Sequence, residues 1–357
     1  ADTLGSRSTA IGRAALSAQN FTTATDTYNT AVGFHAGVNV TTGLFNTIVG
    51  AKAGDAFTSG NSNVAIGYNA LTADTLGDRA VAVGLNALAA QNFTTTTDNY
   101  NVGVGYQAGL AVTTGIYNTI IGGLAGDALT SGNNNTAVGT AALSTDTLGD
   151  RNVALGVSAL EQQNFTTSTD SYNVAVGYNV GLRVTTGIRN TLIGGLAGDA
   201  FTDADLNVAI GYQALSSDTL GSRSVAIGNQ ALLTQNFTTA TDGYNTAVGT
   251  DAGLLVTTAK FNTLVGGLAG DALTTGQENA AFGYLALSGD TLGSHTVAVG
   301  PYALQAQNFT TATDSFNTAV GYAAGTAVTT GTNNTIVGGL AGDLMTTGAS
   351  NTIVGFA

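Results

Sequence analysis

The 357-residue sequence predicts an all-β fold, a parallel β-roll or β-solenoid of about 20 stacked rungs. Three observations predict it. The octet "QNFTTATD" at 19–26 returns, nearly unchanged, at 91–98, 163–170, 235–242 and 307–314, always 72 residues on. Within each 72-residue unit, a strand-like pattern ending in glycine recurs at Gly12, Gly33, Gly50, Gly67 and Gly84, in steps of 21, 17, 17 and 17. Composition agrees: 50 Gly, 1 Pro and only 9% charged residues, against about 25% charged in ordinary soluble proteins. Such a chain disfavours long helices and favours short strands and turns. A fixed period of this kind marks an array, not a string of globular domains. Residues 1–357 therefore read as one continuous repeat array, with units at about 8–79, 80–151, 152–223, 224–295 and an incomplete 296–357.

Each unit reads as four rungs. Rung A is "STAIGRAALSAQNFTTATDTY" from Ser8, and rung B is "NTAVGFHAGVNVTTGLF" from Asn29. Rung C is "NTIVGAKAGDAFTSGNS" from Asn46, and rung D is "NVAIGYNALTADTLGDR" from Asn63. The opening "ADTLGSR" matches the tail of rung D, and the closing "NTIVGFA" matches the head of rung C, so a segment of a longer fibre is expected. Each 17-residue rung should hold two short strands and their turns. At about 4.8 Å per rung, the stack would reach roughly 95 Å.

The residue before each rung glycine is apolar, as in Ile11, Val32, Val49, Ile66 and Phe282. One residue earlier stands Ala in most rungs and Ile or Leu in rung C, as in Ile48 and Leu192. Neighbouring strand residues point to opposite faces, so both faces are apolar and both call for burial. One coil has one interior. The second face needs another surface to cover it. Sixteen of the 20 strands begin with Asn, which stacking would align into a hydrogen-bonded ladder. Ala stands three residues after most rung glycines, where small side chains let backbone segments approach. The "TTG", "TSG" and "TLG" segments read as turns. One rung cannot stand alone, because stacking supplies the burial it lacks.

Net charge is −13, with 2 Lys and 7 Arg. No basic stripe is present to neutralise phosphates, so nucleic acid is not an expected partner. No apolar run reaches the ~18 residues of a membrane span, and no membrane insertion is expected of this segment. The absence of Cys removes disulfides and thiolate metal sites.

Catalysis and cofactors are not expected. The two histidines, His35 and His295, are each unlike their repeat equivalents and read as surface drift. No Ser/His/Asp arrangement or phosphate loop stands out, and glycines that close rungs make short Gly motifs uninformative. Asp columns recur at Asp2, Asp26 and Asp55 and their equivalents. The calcium β-roll pattern is absent. Asp55 follows "AG" in a turn where its carboxylate would accept backbone N–H bonds, so no metal site is expected. A column of Thr41, Thr58 and Thr75 is interrupted by Asn20, which argues against a flat ice-binding face.

Rung A is four residues longer than its neighbours, and the extra length must go outward. The octet is the candidate site, with Phe21, Phe93, Phe165, Phe237 and Phe309 as anchors and Asp26, Asp98, Asp170, Asp242 and Asp314 closing it. It reads either as a brace that folds onto an adjacent rung or a neighbouring chain, or as a repeated receptor contact. Its near identity in five copies favours the brace. Variable exposed positions lie at Arg13, Phe34, Lys52, Tyr68, Arg183, Arg189 and Lys260.

"NTAVGFHAG", "NVAIGYNAL" and "SVAIGNQAL" resemble the head repeats of YadA-like trimeric autotransporter adhesins. "NTAVGYAAGTAVTTGTNNTIVGGLAGD" at 317–343 looks still more like the repeat arrays of marine bacteriophage tail-fibre proteins. The resemblance covers essentially the whole chain. It implies three chains in a homotrimeric fibre, one apolar face filling each coil and the other packing around a threefold axis. These rungs are longer than is usual in the adhesin heads. The implied function is the structural shaft of a virion tail fibre, with itself, other fibre or baseplate proteins, and a host surface glycan or protein as partners. The alternative is an adhesin head on the bacterial outer surface. A third reading, a glycan-cleaving tailspike, would need clustered carboxylates in a groove.

Overall fold

A computed structural model describes Asp2 and residues 4–357. It is an all-β parallel β-solenoid of about 21 turns, with no helix among the described residues. The chain divides into two units, Ala1–Ala175 and Val176–Ala357. In the first, three-residue strands pair in parallel with the next rung and in register: Ala31 with Ile48, Ile48 with Ala65, Ala65 with Ala82. The second repeats the arrangement, with Ala247 on Leu264, Leu264 on Ala281 and Ala281 on Ala298.

The middle residue of each strand is the inward one. Ala31, Ile48, Ala65 and Ala82 are fully buried. Bulk is balanced within each coil. Where the strand turns Ala65 inward, Leu71 fills the space and is fully buried. Where it turns Ile48 inward, Gly54 stands at the position of Leu71. The outward residues Val32, Val49 and Ile66 are only half-buried, and Ile121 and Leu155 are exposed. The Val/Ile column is thus the outer face of the sheet, and the Ala/Ile column is the core.

Rungs B and C carry one three-residue strand each, not the two expected, whereas rung D adds a second, two-residue strand, as at Gly77–Asp78. After the rung glycine the backbone alternates between right- and left-handed conformations, with φ of 58° at His35, 55° at Gly37, 55° at Asn69 and 51° at Leu71. Over those residues no extended segment forms. It turns successive amides both ways along the stack: the His35 N–H donates to Arg13 O at 3.0 Å, and the Gly37 N–H to Ala53 O at 3.0 Å. A left-handed L-residue costs about 1–2 kcal/mol, which these inter-rung bonds offset. The rung glycine itself has no alternative. A Cβ on Gly84, at φ 142°, would lie 2.2 Å from Gly105 O.

The asparagine ladder forms, but through backbone. Asn46 Oδ1 accepts the Asn63 N–H at 2.9 Å, while Asn46 Nδ2 donates to Gly60 O at 2.8 Å. The amide spans the rung spacing and satisfies buried groups of two neighbouring segments.

Candidate functional site

The octet folds back onto the preceding rung D. Asp74, fully buried, is the centre of the attachment. Its carboxylate accepts from Gln91 Nε2 at 2.6 Å, the Gly77 N–H at 3.0 Å and the Phe93 N–H at 3.2 Å. Gln91 Oε1 in turn accepts from Asn101 Nδ2 at 2.9 Å, so the first residue of the octet ties rung D to the following rung B. Thr75 Oγ1 donates to Phe93 O at 2.9 Å. Asp146, Asp218 and Asp290 repeat the contact with Gln163, Gln235 and Gln307, each at 2.6 Å. Burial pushes the Asp74 and Asp218 carboxyls above the usual carboxylate range, against the opposing pull of these hydrogen bonds.

The five octet phenylalanines, Phe21, Phe93, Phe165, Phe237 and Phe309, lie beneath the loop at 4–6% exposure. Thr94, Thr95 and Thr96 form its exposed tip. The loop then closes as a short strand: Thr97–Asp98 pairs in parallel with Gly77–Asp78, and Thr241–Asp242 with Gly221–Ser222. The closing aspartates meet a cation on the rung below. Asp26 pairs with Arg7 at 3.2 Å and Asp242 with Arg223 at 3.0 Å, while Arg79 and Arg151 pair with Asp98 and Asp170. In the fifth copy His295 replaces the arginine, with Nδ1 3.0 Å from Asp314 and Nε2 3.2 Å from Glu278. His295 is therefore part of a repeated contact. His35 stacks on Phe34 at 3.9 Å between ring centres.

These cations stand in a column that the sequence reading did not single out, five residues before each rung glycine. The guanidinium of Arg7 lies 5.3 Å from the centre of the Tyr28 ring, and Tyr28 stacks on Phe45 at 5.7 Å. Arg79, Tyr100 and Tyr117 repeat this in the next 72-residue stretch, and Arg223, Tyr244 and Phe261 do so in the second unit. All these aromatic side chains sit on left-handed backbone, with φ of 50–61°. Bulky residues are rarely placed there, so the column keeps its rings and cations at a conformational cost. The available signal was parity. The inward residue and the Asn two before it are buried, which leaves the residue before that Asn on the outer face.

The outer face therefore has four columns, at five, three and one residue before the rung glycine and one after it. The two central columns contain only Thr, Val, Ala, Ile, Leu and Phe, with no charge in any rung. The two edges are rich in exposed rings, among them Tyr100 at 49% and Tyr106 at 54%.

The remaining aspartates behave otherwise than expected. Asp55 accepts from the Thr72 hydroxyl at 2.5 Å, not from backbone. Asp127, Asp199 and Asp271 each keep one buried carboxylate oxygen without a hydrogen-bond partner. Burial raises all three. Among the described residues no three metal-ligating side chains converge and no pocket opens. The Thr41 and Thr58 hydroxyls donate to Thr58 O and Thr75 O at 3.0 and 3.1 Å, so that column is tied into the stack. No protein-family model and no curated protein sequence matches the chain.

Proposed function

We propose that the chain is the non-enzymatic structural shaft of a trimeric phage tail fibre or spike that supports host-cell attachment. The observation that carries this reading is the uncharged outer strand face, repeated rung after rung on a chain of net charge −13. A surface with a fixed rung spacing is matched along its length only by another surface with the same spacing, and a further copy of the chain supplies it. Three copies around an axis would bury the Val/Ile columns that one chain leaves half-buried or exposed. The partners are then the chain itself, other fibre or baseplate proteins, and a host surface glycan or protein. The "NTAVGYAAG" repeat style supports the virion setting, and "NVAIGYNAL" supports the alternative of a bacterial trimeric adhesin head.

Sedimentation equilibrium at micromolar protein tests the assembly. The expected mass is near three times 35.4 kDa, and a stable monomer overturns the reading. Immunogold labelling with antibody to the purified chain tests the setting. Label along virion fibres is expected, whereas label on a bacterial envelope selects the adhesin.

A further inference from the structure

In rungs C and D the two edges of the outer face differ in size, in opposite senses, while rung A has a cation on its leading edge. In rung C the leading edge is large and the trailing edge small: Phe45 with Ala51, Tyr117 with Gly123, Phe261 with Gly267. In rung D the order reverses, with Ser62 and Tyr68, or Glu278 and Tyr284. In rung B both edges carry rings, as in Tyr100 and Tyr106, although Tyr244 stands opposite Thr250. Within one chain the two edges cannot touch. They are six residues apart, on either side of a three-residue strand such as Thr119–Ile121, which alone is about 10 Å long.

The trailing glycines have no reason inside their own chain. A Cβ on Gly123 would meet nothing within 4 Å, and one on Gly267 would meet the Tyr284 ring at 3.6 Å and Thr250 O at 3.9 Å, ordinary contacts of the kind that Gly195 and Gly339 make with the Tyr212 and Phe356 rings. Neither has a left-handed φ. Glycine weakens an ordered segment, so a half-buried glycine beside open space, as at Gly123, suits a position that something else fills.

We propose that successive copies of this chain pack head to tail around an axis parallel to the rung stack, with the leading edge of one copy against the trailing edge of the next at the same rung. Tyr117 of one copy then lies over Gly123 of its neighbour, Phe261 over Gly267, and Tyr68 over Ser62. A rotation about such an axis keeps equivalent rungs at equal height, which is the condition for the size match to operate. Head-to-tail interfaces close into rings, whereas a twofold pairing would set large edge against large edge. The area suffices. In the first unit nine strands run from Thr9–Ile11 to Val153–Leu155. At about 4.8 Å each, with a face up to roughly 20 Å wide, they present on the order of 850 Å². Two neighbours share the face, so each interface receives about half. The ten strands of the second unit, from Thr191–Ile193 to Thr352–Val354, bring it to on the order of 900 Å², against about 800 Å² per partner in a stable interface. The inference rests on the trimeric reading above and specifies how its subunits meet.

The chain has no cysteine, so disulfide trapping is clean. Tyr117→Cys with Gly123→Cys in one chain is expected to give a covalent trimer under mild oxidation, since the two positions are too far apart to bridge within a chain. Neither single variant should cross-link. Dimers from Tyr117→Cys alone overturn the head-to-tail arrangement. So does a double variant that sediments as a trimer yet stays unlinked, and the trimeric reading survives both results. A monomeric parent chain overturns both. Independently, Gly123→Tyr should raise the concentration for half-dissociation by about tenfold or more, with an unchanged circular dichroism spectrum. Tyr117→Gly added to it should restore assembly, and failure of that rescue counts against the edge pairing.

Discussion

The octet loop and the outer strand face belong to the same rungs, yet one is completed by its own chain and the other is not. In the loop, Phe93 is buried, and Asp74, Gln91 and Asn101 satisfy one another and the local backbone. On the outer face, Ile121, Tyr106 and Tyr117 stay exposed beside a glycine that nothing nearby requires. The most conspicuous sequence repeat is therefore the one whose interactions close within the chain. The face that asks for a partner is made of residues that look unremarkable one at a time.

The strongest way to break this contrast is to remove the loop's anchors. Phe21, Phe93, Phe165, Phe237 and Phe309 changed together to Ala should each cost about 3–5 kcal/mol locally. The melting temperature should fall steeply while the assembly state at low temperature stays the same. An unchanged melting temperature with loss of cell attachment would instead make the octet a binding site. Next in size is Ile121→Asp. In a single chain this side chain is exposed, so the fold should survive. In an apolar contact between copies, an unpaired carboxylate costs more than the roughly 1–3 kcal/mol of an unpaired hydroxyl. Sedimentation should show dissociation, and a fully assembled variant would remove this face from the interface.

A smaller effect follows from the buried carboxyls. Asp74 and Asp218 are raised from 3.8 by burial, so the folded chain holds these protons more readily than the unfolded one. The burial penalty on the charged form is absent below the unfolded value and grows as pH rises through the folded one. These groups' contribution to stability should therefore fall as pH rises from about 3.8 toward neutrality, measured by melting at constant salt. Asp74→Asn with Asp218→Asn should reduce that fall, leaving the share of Asp127, Asp199 and Asp271. A chain more stable at the higher pH would assign the dominant titration elsewhere.

Much of this was legible in the sequence. Glycine spacing set the rung lengths, and the two apolar strand faces pointed to an uncovered surface. A second strand was expected in every rung but is absent from rungs B and C, because alternating left- and right-handed backbone at Phe34–Gly37 has no composition signature. Residues such as His35 and Leu71 adopt left-handed φ without being Gly or Asn. The Tyr28–Phe45 column was missed because its rings lie 17 residues apart in sequence and meet only through stacking. The role of Asp74 was hidden for the same reason: its partner Gln91 lies one rung away.

The smallest expected effect concerns the loop's outer clasp. Arg79 pairs with Asp98 and lies over the Tyr100 ring at 5.5 Å, and in the single chain all of this is exposed. Solvent and salt screen such pairs, and holding two mobile side chains together offsets most of the attraction. Arg79→Ala, with Arg7, Arg151 and Arg223 changed likewise, should leave the melting temperature nearly unmoved while altering the near-ultraviolet signal of the stacked tyrosines. If these four substitutions lowered stability as much as the five phenylalanine changes, the octet would be held from its surface. The division between a loop closed from within and a face left open to a partner would then fail at the loop.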